Sequence, residues 1–257
     1  ERADPRNTLF REFARIVNIL QPRGFLAENV LGLRDMQFTE SISKMFERIG
    51  YTVTSIVVTA ADFGVPQLRR RVLFVGDRSG RTFREPTPKL DEKHYVSVWD
   101  AIGDLPRLSP GESKLKYEVS PFTAFQREMR RGSRELRGHE ASKHPDRLVE
   151  AISHIPDGGS RRSIPTNLQP PSGFHNSYSR LYIKAPAVAI THNMGKPSGT
   201  RCIHPFQHRG LTAREGARLQ SFPDRFHFIG GSMSQRRQVA TAVPPRLGEA
   251  LGRLLVD

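Results

Sequence analysis

The chain of 257 residues is predicted to be a layered α/β protein, and two observations predict this fold class. Apolar residues recur at helical spacing in residues 8–20, where Leu9, Phe13 and Val17 share one face. The runs at 51–58 and 71–76 are instead short, apolar and rich in β-branched residues, which is typical of strands. Helices that alternate with apolar strands indicate a sheet covered by helices.

Capping and turn residues define where these elements begin and end. Thr8 or Asn7 offers an N-cap to the first helix, and Gly50 closes the second. In chain order, the predicted elements are a helix at 8–20, a short strand at 25–27 that runs into Glu28, a helix at 38–49, strands at 51–58 and 71–76, helices at 98–105 and 122–131, a strand at 181–191, and helices at 212–221 and 246–255.

The middle of the chain differs from its two ends in proline content and in hydrophobic periodicity. Residues 83–178 contain ten prolines and show only patchy periodicity, which indicates an irregular domain or a large insertion. We therefore predict three regions: an α/β lobe at 1–82, an irregular domain with a hinge at 83–178, and a return to the α/β lobe at 179–257.

Composition narrows the class of partner. Lys and Arg number 40 against 26 Asp and Glu, so the formal net charge is +14, which favours a polyanion such as nucleic acid.

The only cysteine, Cys202, excludes an internal disulfide. No apolar run approaches the roughly 18 residues of a membrane helix, and the N-terminus is charged from its first residue, unlike a signal peptide. A cytoplasmic location is expected.

Three groups of polar residues are candidates for function. The first is Glu28-Asn29-Val30, at the carboxyl end of a predicted buried strand, where ligands bind in open α/β sheets. A glutamate at a strand end is also commonly a solvated turn residue.

The second group is Gln67-Leu68-Arg69-Arg70-Arg71, in which an extended backbone would place Gln67, Arg69 and Arg71 on one face. Such groups are costly to bury unless a polar or anionic partner meets them, although a charged, solvated sheet edge explains the pattern equally well.

The third group spans residues 209–224 and includes a capping box of Thr212 and Glu215, for which a structural role is sufficient.

Taken together, five segments in order resemble the C-terminal half of a DNA (cytosine-5) methyltransferase. They are ENV, ADFGVPQLRRRVLFVG, RLYIKAPAVAIT, RGLTAREGARLQSFPDRFHF and QVATAVPPRLGEAL. The resemblance covers about residues 1–82 and 153–257. It implies part of a Rossmann-like methyltransferase sheet with a small irregular target-recognition domain, S-adenosyl-L-methionine as cofactor, and double-stranded DNA from which the target cytosine is flipped out.

The resemblance also assigns roles to residues of this chain. Glu28 would hydrogen-bond N3 and the exocyclic amine of the cytosine, Asn29 would brace the turn around it, Arg71 would hold the base O2, and Arg69 would order backbone and phosphate. The expected cofactor-binding residues are Leu9, which would pack on the adenine, and Thr241, Ala242 and Val243.

Recognition of the target is expected in the irregular domain, because the major groove distinguishes all four base pairs. Most arginines there would contact phosphate, which outnumbers base contacts. The expected DNA-binding residues are Gln67, Arg127, Arg130, Arg131 and Arg161.

Two motifs of the family are absent from these 257 residues: the glycine-rich cofactor motif and the Pro-Cys nucleophile motif, which precede the segment that begins here at Asp4. Cys202 lacks the preceding proline and is not expected to be the nucleophile. Its C-x-H-x₃-H spacing with His204 and His208 also permits a zinc interpretation, but a fourth ligand is not visible and no metal is expected.

We therefore expect one polypeptide of a split enzyme, whose partner chain supplies the missing motifs. The alternatives are an inactive fragment of a single-chain enzyme and a DNA-binding protein that has lost catalysis.

Overall fold

The computed structural model describes residues 9–31, 38–171, 177–199 and 201–256, which form two compact units. The sheet unit consists of the described residues of Glu1–Thr59, Arg70–Pro88 and Ala250–Asp257. The large unit consists of those of Ala60–Arg69 and Lys89–Glu249. This division differs from the predicted regions 1–82, 83–178 and 179–257, whose functional meaning stays a prediction.

The sheet unit is built on three strands in the order β1-β4-β2. Its elements are α1 (Leu9–Leu20), β1 (Gly24–Val30), α2 (Phe38–Glu47), β2 (Thr52–Thr59) and β4 (Arg70–Asp77). Strand β4 lies between the other two and is antiparallel to both. Its register pairs Glu28 with Leu73 and Val30 with Arg71 on one side, and Val58 with Arg71 on the other.

One face of this sheet carries the core of the unit. Phe25, Val72 and Phe74 pack there against Val17 of α1 and Phe46 of α2, and all are buried. The ring of Phe25 lies across Gly76, its partner in the register, where an added Cβ would meet the ring at 2.1 Å. Because side chains alternate along a strand, Glu28 and Arg71 belong to the opposite face of the sheet.

The regular elements of the large unit are mainly short helices, which are joined by long irregular connections. Its elements are β3 (Gln67–Leu68), α3 (Val98–Ile102), α4 (Ala124–Arg130), α5 (Asp146–Ser153), β5 (Ala187–Val188), α6 (Ala213–Leu219) and α7 (Ser232–Thr241), and helix α8 runs from Pro245 to Val256. Strands β3 and β5 pair in parallel. Capping boxes begin three of these helices, at Ser97, Thr123 and Thr212.

The core of the large unit combines apolar packing with buried charge. Ile102, Leu136, Leu181, Met194 and Leu211 are among its buried apolar residues. Arg209, Arg214 and Arg218 are also almost wholly buried, and each is paired with an acid. A buried charge is tolerated only when it is paired and hydrogen-bonded, so these ion pairs fix the geometry of the core.

Most of the predicted elements are present, and one is wrong. The predicted strand at 181–191 is reduced to Ala187–Val188, because residues 182–186 turn away from any ladder, and only Arg180 forms a further bridge, to Ile203. Helices α5 and α7 were not predicted. The predicted face of α1 is also shifted, since Ala14 and Val17 are buried while Leu9 is exposed.

Candidate active site and nucleic-acid interface

An ion pair between Glu28 and Arg71 marks the face of the sheet opposite the helices. Nε of Arg71 lies 2.7 Å from Oε1 of Glu28. The two residues are diagonal neighbours across the β1–β4 ladder, since Glu28 pairs with Leu73, two positions along from Arg71. Diagonal positions on one face of an antiparallel pair are within reach of long side chains. The pairing of β1 with β4 therefore brings Glu28 and Arg71, which are distant in sequence, into direct contact.

The pair is sheltered but open to solvent on one side. The side chain of Arg71 is 13% exposed and that of Glu28 is 19% exposed. On the same face, Leu73 and Val58 are buried and form an apolar surround. Charged groups in such a setting are screened less than surface pairs, so they act strongly on a polar ligand that enters.

Asn29 braces the strand next to Glu28. Its Oδ1 accepts a hydrogen bond from the backbone N–H of Val30 at 2.8 Å. This local bond constrains the backbone directly after Glu28. The role of Asn29 in catalysis stays a prediction.

Gln67 is placed differently from its predicted role as a DNA contact. It is fully buried in the large unit, where its Nε2 donates to the carbonyl of Leu219 at 3.1 Å and its Oε1 accepts from the amide of Ile190 at 3.0 Å. A side-chain amide used in this way on both ends has a structural role.

The expectation that Gln67, Arg69 and Arg71 share one extended face is wrong. The backbone N–H of Arg69 bonds the carbonyl of Gln67, so the chain turns between β3 and β4 and the alternation of side chains is lost. Arg69 is buried in the large unit, and its Nη1 lies 3.5 Å from the carbonyl of Ala240.

The four predicted cofactor residues are described in two separate units. In the sheet unit, Leu9 is 62% exposed at the first residue of α1. In the large unit, Thr241 ends α7, and its hydroxyl donates to the carbonyl of Arg237 at 2.9 Å. Ala242 packs on the apolar core, and Val243 is exposed. The uncovered apolar side chains of Leu9 and Val243 are compatible with contacts to a cofactor ring or chain.

The predicted DNA-binding arginines fall into two groups. Arg127 and Arg131 are exposed on and after α4. Arg130 is instead used internally, because its Nη1 lies 3.3 Å from Asp104, donates to the carbonyl of Val119, and its guanidinium covers the ring of Tyr117. Arg161 is half-buried, and its Nη2 donates to the carbonyl of Pro170 at 3.1 Å.

The 209–224 segment forms a buried electrostatic network in the large unit. Glu215 receives two bonds from the guanidinium of Arg209, at 2.6 and 2.9 Å, and a third from the backbone of Thr212. Burial opposes its charge, but Arg209 outweighs burial and holds the pKa of Glu215 well below its ordinary value. The predicted capping box of Thr212 and Glu215 is confirmed.

Two further acids of this unit bind Arg218, which contacts Asp104 at 2.9 Å and Asp224 at 2.7 Å. Burial opposes its charge, but the bond to Asp224 outweighs burial and the pKa of Arg218 is raised. The structural interpretation of the 209–224 segment therefore agrees with its contacts.

Cys202 is a buried thiol of the large unit. Its Sγ donates to the carbonyl of Lys196, and burial raises its pKa to about 12. His204 lies near Glu215, and His208 accepts from Arg180, so neither histidine joins Cys202 in a site. Within the part of the chain that the structure describes, no group of three or more His, Cys, Asp or Glu residues suits a metal ion.

Among the described residues, none of the helices has the length and apolar character needed to cross a membrane.

The chain belongs to the family of C-5 cytosine-specific DNA methylases. The model of that family matches residues 1–257. The type II methyltransferase M1.HphI of Haemophilus parahaemolyticus is 40% identical over 256 residues, which are 98% of this chain and 62% of that protein. M.DdeI of Desulfomicrobium norvegicum is 36% identical and is covered to 67%. The chain thus spans about two thirds or less of the length of these relatives.

Solved structures agree with the α/β methyltransferase fold. A DNA modification methyltransferase encoded within a prophage of E. coli superposes with a TM-score of 0.76 at 24% identity, over 99% of this chain and 76% of that one. The Dnmt2 methyltransferase of S. pombe gives a TM-score of 0.56 at 15% identity, over 98% of this chain and 73% of that one. The predicted fold class is confirmed.

Proposed function

We propose that this chain carries the base-holding part of a DNA (cytosine-5) methyltransferase of the restriction-modification type. The observation that carries the proposal is the sheltered pair of Glu28 and Arg71 on one face of the sheet. Family membership and the names of the relatives, which are type II methyltransferases, support the reaction class.

The target cytosine has to leave the duplex, because its reactive atoms are stacked inside it, and extrusion costs a few kcal/mol. C5 of cytosine is a weak nucleophile. A thiolate therefore adds to C6, C5 takes a methyl group, and loss of the C5 proton with release of the thiol restores the ring. The carboxyl of Glu28 hydrogen-bonds N3 and the exocyclic amine and supports protonation of the ring during the attack.

Arg71 holds the base through O2 in this proposal. A guanidinium carries five N–H donors in a rigid fork, so one group can bond a carboxylate and a base oxygen together. Its Nε is already on Glu28, and Nη1 donates to the carbonyl of Arg70, which orients the fork. Arg69 orders the backbone that leads into β4.

S-adenosyl-L-methionine supplies the methyl group when it is bound. Leu9, Thr241, Ala242 and Val243 are the residues of this chain proposed to hold it. The exposure of Leu9 and Val243 supports this assignment, and the hydroxyl oxygen of Thr241 keeps acceptor capacity after donating to Arg237.

The attacking thiolate is proposed to come from protein outside these 257 residues. Cys202 is the only cysteine of the chain, and a buried thiol with a pKa of about 12 is a poor nucleophile. The thiol belongs either to a longer form of the same chain or to a second polypeptide. The coding sequence upstream distinguishes these two sources. A reading frame that continues into this chain would show a longer form of the same protein, and a separate frame that ends in the Pro-Cys motif would show a second polypeptide.

DNA recognition is proposed for the 83–178 region, with Arg127 and Arg131 on the phosphate backbone. Their exposure supports this role. Arg130 and Arg161 make internal bonds and are weaker candidates, and Gln67 is removed from the interface because both ends of its amide are buried and bonded.

The test of the catalytic proposal is methyl transfer from labelled S-adenosyl-L-methionine to duplex DNA by the complete enzyme. Glu28→Gln should lower the rate by about 10²- to 10⁴-fold, because an amide does not deliver a proton to the ring. DNA affinity should stay within about twofold. Glu47→Gln removes an exposed carboxylate from α2 of the same unit and should leave the rate unchanged. Equal rates for Glu28→Gln and the wild type would remove Glu28 from the reaction.

A further inference from the structure

An exposed apolar loop at residues 225–231 of the large unit has no role in the function proposed above. Ile229 is 80% exposed, and Phe226 and Met233 beside it are 46% and 73% exposed. Burying one such side chain stabilises a protein by about 1.5–3 kcal/mol, so a group of them left in solvent indicates a surface that is covered in use.

The loop is held in place by side chains of two helices. Nη2 of Arg214, in α6, donates to the carbonyl of Phe226 at 3.0 Å. Nε2 of Gln238 and Nε2 of Gln235, in α7, donate to the carbonyls of Ile229 and Gly230 at 2.7 and 2.8 Å. The apolar tip is therefore presented by a fixed backbone, and its binding would cost little ordering entropy.

A cleft of about 440 Å³ adjoins the loop. Arg137, Gly138, His227, Phe228, Ile229 and Gln235 are among the residues that line it. Arg214 also fixes its second wall, because its Nε donates to the carbonyl of Arg137 and its backbone N–H to that of Gly138.

Gly138 keeps the cleft open. It has a φ of +74°, and a Cβ at this position would lie 3.1 Å from Oε1 of Gln235. A side chain there would be strained by the backbone and would crowd the space next to Gln235.

An arginine and a histidine, whose side chains can both donate hydrogen bonds to a phosphate, border the cleft. Arg137 and His227 lie on its wall, and Nη1 of Arg225 donates to the carbonyl of Arg131, which brings the loop beside the exposed arginines that follow α4. The acid paired with Arg137 is Glu135 at 3.1 Å, and both side chains are more than half exposed. An exposed ion pair of this kind contributes little to stability, so a phosphate can replace the carboxylate of Glu135 as the partner of Arg137.

We infer that the 225–231 loop and its cleft bind the DNA duplex outside the target base. Arg137 and His227 take a backbone phosphate in the cleft, and Ile229 lies against the sugar and base edges of the groove. Apolar side chains flanked by cations are used in this way by proteins that contact and bend DNA. This inference rests on the proposed function, because it takes duplex DNA as the partner.

The first test is the affinity of the full chain for a labelled duplex, measured by fluorescence anisotropy at several salt concentrations. Arg137→Gln should weaken binding about five- to tenfold and reduce the salt slope by about one, as for the loss of one phosphate contact. Ile229→Ser should weaken binding about threefold or more without changing the slope, since it removes no charge.

Two control variants match these changes. Arg11→Gln removes an exposed arginine from α1 of the sheet unit, and Ile19→Ser removes an apolar residue of the same helix that is 65% exposed. Both should bind as the wild type does. Gly138→Ala should weaken binding by narrowing the cleft while every charge is kept.

A second readout places a fluorophore in the loop. The buried Cys202 does not compete for a thiol reagent, so Ile229→Cys and Ile19→Cys can each be labelled at one site. Saturation with duplex should change the emission of the first label and not that of the second.

The outcomes separate the two proposals. If the wild type binds duplex and Arg127→Gln weakens it, but Arg137→Gln, Ile229→Ser and the label at position 229 show no effect, the loop inference is wrong and the DNA surface of the proposed function stands. If the wild type binds no duplex even at low salt, both are overturned.

Discussion

The guanidinium of Arg71 has two candidate partners, the carboxylate of Glu28 and the base that the pair is proposed to hold. Because both side chains are less than one-fifth exposed, removing either one leaves its partner charged and poorly solvated. This arrangement suits a site that keeps its internal ion pair and adds a ligand to it.

At the same scale, Cys202 should behave as a structural thiol. With its pKa raised to about 12 by burial, the thiolate is scarce at pH 7.5, so a thiol reagent should not modify the native chain and should modify it once it is unfolded. Cys202→Ser should leave the methylation rate of the complete enzyme within about twofold. Rapid labelling of the native protein, or a large loss of rate in Cys202→Ser, would contradict this assignment.

How far the sequence predicted the site differs from residue to residue. Glu28 and Arg71 were identified as possible site residues by the order of the family motifs, and Glu28 also by its position at the end of a predicted strand. The role of Gln67 was not predictable in this way, because its partners, Leu219 and Ile190, are remote in sequence. The internal contacts of Arg130 were not predictable for the same reason, since Asp104 and Tyr117 are tertiary neighbours.

At the scale of elements, β3 joins β5 through the amide of Gln67 as well as through the backbone. Gln67→Leu should therefore destabilise the chain by about 2–4 kcal/mol, because it leaves a buried carbonyl and a buried N–H without their partners. The urea midpoint of unfolding measures this loss. Leu68→Ala, at a position 46% exposed, should change it little. A midpoint shift for Gln67→Leu no larger than that of Leu68→Ala would argue against the structural role of the amide.

Elements with a strong local signal were predicted, and the others were not. Helix α6 has a capping box and α2 has apolar periodicity, and both are found close to their expected limits. Helix α5 begins after Pro145 without a side-chain cap, and α7 buries only Val239. Helix α5 therefore lacks the start signal, and α7 lacks the apolar face, on which sequence reasoning depends. The 181–191 segment has strand-like composition but lacks a neighbour along most of its length.

At the scale of the whole molecule, buried histidines link stability to pH. Burial lowers the pKa of His139 and of His204, so the unfolded chain binds protons below about pH 6.5 that the folded chain does not. Stability is therefore present above this pH and is lost as the pH falls, by at most about 1.4 kcal/mol per pH unit for each histidine. The lowered pKa of Glu215 adds to the loss at more acidic pH.

The urea midpoint should accordingly be level between pH 8.5 and 7.5 and fall clearly by pH 5.5. A midpoint that stays constant down to pH 5.5 would show that these histidines take up protons in the folded state.

The fold class was predictable from the alternation of helices and apolar strands, whereas the division into units was not. Residues 60–69 and 179–249 belong with the large unit through contacts that are remote along the chain, such as the ion pair of Arg218 with Asp104. Composition marked the proline-rich region but carried no information on which distant segments pack with it.

Strand β4 lies between β1 and β2 and is antiparallel to both, so its register determines which side chains face the site and which face the core. Because successive side chains alternate, inserting one residue between Arg71 and Val72, or deleting Val72, would turn the guanidinium toward the aromatic layer under α1 and α2, even if every strand still formed. Single-residue indels in this stretch should thus be purged from active homologues, while equally small changes in the connecting turns survive.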